Sequence, residues 1–367
     1  MINFAIWLSG TQAENYTPQD KTTEEHKPKT PNCGTALPCI GDLHINVWKN
    51  ELESCIDFGL MLPNKGVREK KLNIYIPSKE VDLTLTDLNS ILIGSQRVLN
   101  AVFNEIVKTE SCHESPLSKL VRYSKKNEKF CLLGLTQNRI NKICAVNGTI
   151  YIIDLSTDCG CKCECEYIYL RFRIKGKFIC DAFCRDELAT SKLQNFTSEI
   201  SVFDIRINEI RALPNDIVDT LQGKKTVKFR TIQFFLMCSS EEDLLLSKMP
   251  HRSVRCLERE DEAWGIYYPP LAGVKKKELI FAYQWKKETC VEMPLDDFTL
   301  LVKIRKDKLL PRKVSMALIM TFLFAVIASL FASTIFSCSS DLLRKQNVSE
   351  QQRVEAPRGE VDGNSYL

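Results

Sequence analysis

Alternation of apolar and polar residues marks most of the chain as strand. Asp42 to Lys49, DLHINVWK, places Leu43, Ile45 and Val47 on one side and His44 and Asn46 on the other. Lys71 to Pro77 aligns Leu72, Ile74 and Ile76. Further strands are expected at Phe130–Leu135, Thr149–Leu155, Tyr167–Ile174, Ser201–Arg211 and Val227–Met237. The turn dipeptide Asn147-Gly148 introduces the second of these. Phe178–Phe183 reads as the hairpin partner of Tyr167–Ile174. Arg252–Arg259, Glu278–Trp285 and Phe298–Arg305 complete the strand-like stretches.

Helical spacing occurs in fewer places. Leu88, Ile91, Leu92, Ser95, Leu99, Val102, Phe103 and Ile106 form one stripe, with Thr86 or Asp87 suited to the N-cap. Trp48, Leu52, Cys55, Ile56 and Leu60 predict a shorter helix that Gly59 weakens and Pro63 ends. Glu241–Lys248 reads as a short helix.

One segment differs in kind. Val314 to Ser340 contains no charged residue. At ~1.5 Å per residue, its apolar core from Met316 to Phe336 spans roughly 30 Å, the thickness of a bilayer's hydrocarbon core. A helix crosses there because it satisfies its own backbone polar groups. The fold class is therefore α+β: a large mixed soluble domain with a β-rich second half, followed by one C-terminal transmembrane helix. The expected parts are a mobile N-terminal arm over residues 1–40, a domain over 41–310 with a subdivision near 125, a span over 314–338 and a disordered tail over 341–367.

Charge sets the expected orientation. Lys303, Arg305, Lys306, Lys308, Arg312 and Lys313 precede the span, against Arg344 and Lys345 close behind it. Basic flanks stay cytoplasmic, which places the large domain in the cytosol and the tail on the opposite side. The apolar patch Phe4–Leu8 has no basic flank and does not read as a signal peptide. The 16 cysteines fit a reducing compartment better than a disulfide framework, because Cys159, Cys161, Cys163 and Cys165 are too close to pair with one another. A net charge of +4, partly beside the span, carries no strong nucleic-acid signal.

Two clusters carry candidate chemistry. Cys161, Cys163 and Cys165 share one face if extended, and Cys180 or Cys184 on a paired strand would complete a thiolate set for zinc. Their spacing is not that of C-x₂₋₄-C knuckles; the alternatives are a hairpin tip that tolerates small residues and a simple burst of free thiols. Arg171 and Arg173 alternate in YLRFRI, and Arg206 and Asn208 in FDIRIN, with Arg211 following. If these strands are neighbours, their polar sides form an arginine-rich surface for phosphate or carboxylate. The alternative is a solvated sheet face with cross-strand ion pairs. Asp57, Glu69 and Lys71 loosely match a nuclease-like carboxylate and lysine trio. Phosphate-loop, dinucleotide, nucleophile-elbow and zinc-protease motifs are missing.

These features predict a single-pass, membrane-anchored binding, sensing or scaffold protein. Its expected partners are the lipid bilayer, an unknown protein or anionic small molecule, and further copies of itself through Ala325, Ser329 and Ala332. A membrane-tethered metal-dependent hydrolase and a type I surface receptor or envelope glycoprotein remain the alternatives, the latter favoured by N-x-[ST] triplets at Asn15, Asn147, Asn195 and Asn347.

Overall fold

The structure is a computed structural model that describes residues 1–10, 39–49, 54–67, 70–111, 117–124, 128–156, 165–185, 198–222, 224, 226–257, 262–268, 279–290, 292–307 and 311–354. The chain divides into two units. One comprises Met1–Thr190 and Glu199–Asp307, the other Ser191–Ser198 and Lys308–Leu367. The first unit runs through position 125.

That first unit contains two mixed β-sheets, with strands numbered in chain order. The eight-stranded sheet has the order Glu242–Ser247 (β15), Phe298–Asp307 (β18), Ser198–Ile207 (β13), Ile2–Gly10 (β1), Lys70–Ile76 (β4), Gly148–Asp154 (β10) and Ile140–Ala145 (β9), with Phe183–Arg185 (β12) beside β13. The ten-stranded sheet has the order Ser253–Cys256 (β16), Ile280–Glu288 (β17), Lys228–Ser239 (β14), Ile40–Trp48 (β2), Cys55–Pro63 (β3), Tyr167–Lys175 (β11), Lys129–Leu133 (β8), Ser118–Tyr123 (β7) and Val107–Ser111 (β6), with Thr84–Asp87 (β5) beside β11.

The sheets share one core. Phe4, Ile74 and Ile205 from the first meet Ile45, Phe58, Phe172 and Phe234 from the second. Phe4 and Phe58 contact edge to face at 5.1 Å, and Phe203 and Phe234 lie 6.4 Å apart. This packing follows from period-2 alternation, which gives each strand one fully apolar face.

Several expectations are corrected. Residues 1–40 do not begin as an arm: Ile2–Gly10 forms β1, parallel to β13 and antiparallel to β4. Ile2, Phe4 and Ile6 enter the core between the sheets, while Trp7 packs outward with Leu213 and with Ile217 of the helix Asn215–Leu221. Residues 11–38 lie outside the described ones. The helix expected after Trp48 is strand β3, because Ile56, Phe58, Leu60 and Leu62 alternate inward.

Other elements change type or length. The stripe from Leu88 to Ile106 is split into Asn89–Gly94 and Gln96–Phe103. Extended Ser95 breaks it, and its side chain accepts a hydrogen bond from Val98 N at 3.4 Å. Glu242–Ser247 is a strand rather than a helix, and Lys177–Asp181 is a short helix where a hairpin strand was expected.

In the second unit, one helix runs from Pro311 to Val354. The disordered tail expected over 341–367 is therefore helical as far as 354. Its stretch Leu318–Lys345 is long and apolar enough to cross a membrane.

Candidate ligand-binding cleft

The outer face of the ten-stranded sheet carries a cleft of about 640 Å³. The alternation that buries Leu43, Ile45 and Val47 turns Asp42, His44 and Asn46 toward it. On β11 the same rule buries Leu170 and Phe172 inward and leaves Tyr167 and Arg171 lining the cleft. Strand register then aligns a row across the floor: Lys286 opposite Gln233, Gln233 opposite His44, His44 opposite Gly59, and Gly59 opposite Arg171. Phe103 and Asn104 at the end of Gln96–Phe103 form one wall, and Trp264 of the helix Glu262–Tyr267 forms another.

Beside the cleft is a buried polar network. Asp57, with no exposed surface, accepts from Trp48 Nε1 at 2.8 Å, Tyr267 Oη at 2.7 Å, Arg173 Nε at 2.6 Å and Arg173 Nη2 at 2.9 Å. Tyr268 stacks on Trp48 at 4.4 Å and fixes the indole. Burial alone would raise the Asp57 pKa. The bidentate Arg173 guanidinium, with Arg171 and Tyr267, outweighs it and holds the carboxyl below its ordinary value.

Arg171 is bound differently. Its Nε donates to Tyr267 Oη at 2.6 Å and its Nη1 to Tyr169 Oη at 2.7 Å. In the amide orientation that satisfies both groups, Asn46 Oδ1 accepts from Arg171 Nη2 at 2.6 Å, while Nδ2 donates to the Ile45 carbonyl at 3.2 Å. All three acceptors are neutral. Desolvation opposes the charge of Arg171, but the phenol oxygens and the nearby Asp57 carboxylate keep it protonated. Arg171 and Arg173 thus share one buried carboxylate, which leaves a positive charge at the cleft floor.

Gly59 makes this possible. A Cβ there would stand 2.3 Å from Tyr169 Oη and 2.9 Å from Arg171 Nη1. Three other cations at the cleft have partners of their own, and Glu105, Glu128 and Glu166 also line it. Arg230 Nη2 donates to Asp42 Oδ2 at 2.6 Å and lies over the Tyr167 ring. Lys286 pairs with Glu288. Arg255 donates to Asn104 Oδ1 at 3.3 Å and lies over Trp264. His44 is pushed down to about 4 by burial and by Arg171 and Lys286, with Asp42 opposing, so it is neutral at pH 7.

The arginine-rich surface expected from sequence is not assembled. Arg171 and Arg173 lie on β11 of one sheet, whereas Arg206 lies on β13 of the other. Arg206 is occupied by Asp204 at 2.9 Å, and Arg211 by Glu209 at 2.8 Å. Asn208, in the left-handed region at φ 56°, accepts from Ile6 N at 2.8 Å and donates to the Val227 carbonyl at 3.1 Å. It is a backbone clamp between strands.

The zinc set is likewise not assembled among the described residues. Cys161, Cys163 and the Cys184 side chain lie outside them. Cys165 precedes β11 and Cys180 follows it, so a nine-residue strand, roughly 30 Å long, separates the two. No group of His, Cys, Asp and Glu suited to a metal occurs among the described residues. Asp57 and Lys71 lie in different sheets, and Glu69 is outside the described residues, so that trio does not converge.

Sequence reasoning found Arg171 and Arg173 but not Tyr169, Tyr267, Asn46, Trp48 or His44 as members of the site. The signal available was outward position on an alternating strand. It places each on a face without saying which face a helix will cover. No protein-family model matches the chain, and comparison with curated proteins finds no match.

Proposed function

We propose that the protein is a membrane-anchored binding module whose cleft takes a small anionic molecule, with the ligand's phosphate, sulfate or carboxylate group seated against Arg171. The observation that carries this reading is the buried guanidinium of Arg171, which lines the cleft and, among the described residues, is hydrogen-bonded to neutral groups. A guanidinium held rigid by packing is pre-organised for a planar or tetrahedral oxyanion, so little rotamer entropy is lost on binding. Phe103, Tyr167 and Trp264 offer apolar surface to the rest of the ligand.

The anchor in this reading is Leu318–Lys345. One helix confines a binding domain to a membrane surface without forming a transport path by itself. The excess of Lys and Arg before the helix favours a cytosolic cleft.

The test is thermal stability of the full-length protein in detergent against sulfate, phosphate, a dicarboxylate and an uncharged sugar. Anions at 100 times their dissociation constant stabilise by about 2.7 kcal/mol. A rise in melting temperature with anions and none with the sugar supports the reading. Equal responses to the sugar and the anions, or none to any, overturn it.

A further inference from the structure

We infer that anion binding in this cleft is coupled to proton uptake by His44: an oxyanion seated against Arg171 is taken up together with a proton on the His44 imidazole, so the cleft holds anions more tightly as pH falls. This rests on the anion-binding reading above and adds its regulation.

The geometry places the two groups side by side. His44 on β2 and Arg171 on β11 occupy the same cross-strand row, separated only by Gly59, which contributes no side chain. His44 Nδ1 lies 3.5 Å from Tyr169 Oη, which itself receives Arg171 Nη1 at 2.7 Å. The imidazole is therefore one phenol away from the guanidinium that receives the anion. Both His44 and Arg171 line the cleft, so one bound oxyanion lies within electrostatic reach of both.

The groups around His44 explain why it responds. From β11 it faces Arg171 and the neutral Tyr169, and from β17 it feels Lys286, whose charge is shared with Glu288. From its own strand it feels Asp42, which is tied to Arg230 of β14. Burial and the two cations, with Asp42 opposing, hold the imidazole at about 4. An anion offsets those cations and moves it back toward the ordinary value of about 6.5.

The sign follows from linkage. The bound state has the higher proton affinity, so binding takes up a proton in the window between the free and bound values. Anion affinity is then lowest above the bound value and rises as pH falls toward 4. A bound value near 6 makes affinity about tenfold greater at pH 5 than at pH 8.

The probe is radiolabelled sulfate, which stays dianionic over this range, in equilibrium dialysis against the full-length protein in detergent. Wild type is expected to bind about tenfold more tightly at pH 5 than at pH 8. His44→Gln is expected to bind equally at the two pH values. Wild-type affinity that does not change with pH, or His44→Gln affinity that still does, overturns the coupling and leaves the anion site standing. Failure of wild type to bind at either pH overturns the anion site itself. NMR of ¹³C-labelled histidine follows the imidazole without any mutation. Its midpoint is expected to rise by about two units in saturating sulfate, and an unchanged midpoint overturns the inference.

Discussion

At the scale of the residue, the cleft depends on a charge imbalance that packing maintains. Asp57 serves Arg173 through two hydrogen bonds and leaves Arg171 to neutral partners. Asp57→Asn leaves two buried guanidinium groups without a counter-charge and is expected to cost about 3–5 kcal/mol in denaturant unfolding. The same ion pair makes stability acid-sensitive. The folded pKa of Asp57 is depressed, so its contribution is complete above the unfolded carboxylate value of about 4 and is lost as pH falls through the folded value. Urea midpoints measured from pH 6 to pH 3 are expected to fall for wild type, and to fall less for Asp57→Asn. Gly59→Ala forces its Cβ against Tyr169 Oη and Arg171 Nη1. It is expected to lower stability by about 1–3 kcal/mol, read as a lower melting temperature. The alternation of YLRFRI made Arg171 and Arg173 legible as outward residues. Asp57 and Gly59 were not, because apolar residues near them also fit a helical spacing.

At the scale of the element, β1 shows where local reading failed. Phe4 to Leu8 is a short apolar run, and its partners β13 and β4 lie some 60 to 200 positions away. Nothing local encodes such pairing. In the fold, Phe4 has no exposed surface and meets Phe58 from the opposite sheet. Phe4→Ala is expected to cost about 3–5 kcal/mol in chemical denaturation, whereas an N-terminal arm would tolerate it. Most other strands were legible, since period 2 persists through Leu43–Val47, Leu72–Ile76 and Phe203–Ile207. Helix boundaries were less so. Ser95 keeps the helical stripe in register while its extended backbone divides the helix, and a sequence pattern does not report that turn.

At the scale of the whole molecule, the mixed sheet-rich architecture and the one long apolar helix among the described residues follow from hydropathy and alternation. The pairing of strands into two sheets does not, and that pairing separates Arg206 from Arg171. If Leu318–Lys345 anchors the chain, the protein stays in the pellet when membranes are washed with alkaline carbonate, and replacement of Phe324 and Phe331 by Arg releases it. Inside a bilayer, each central Arg costs a helix about 2.5–3.5 kcal/mol.

The anion site is tested most directly by sulfate equilibrium dialysis at pH 6 on three full-length proteins: wild type, Arg171→Gln, and Arg206→Gln as a control in the other sheet. Each is first shown to be folded by circular dichroism at the assay temperature. Wild type and Arg206→Gln are expected to bind one sulfate with equal affinity, and Arg171→Gln to bind at least about tenfold more weakly, as loss of a charge-assisted contact of about 1.5–3 kcal/mol requires. Equal binding by folded Arg171→Gln, or none by wild type, would contradict the assignment of the cleft.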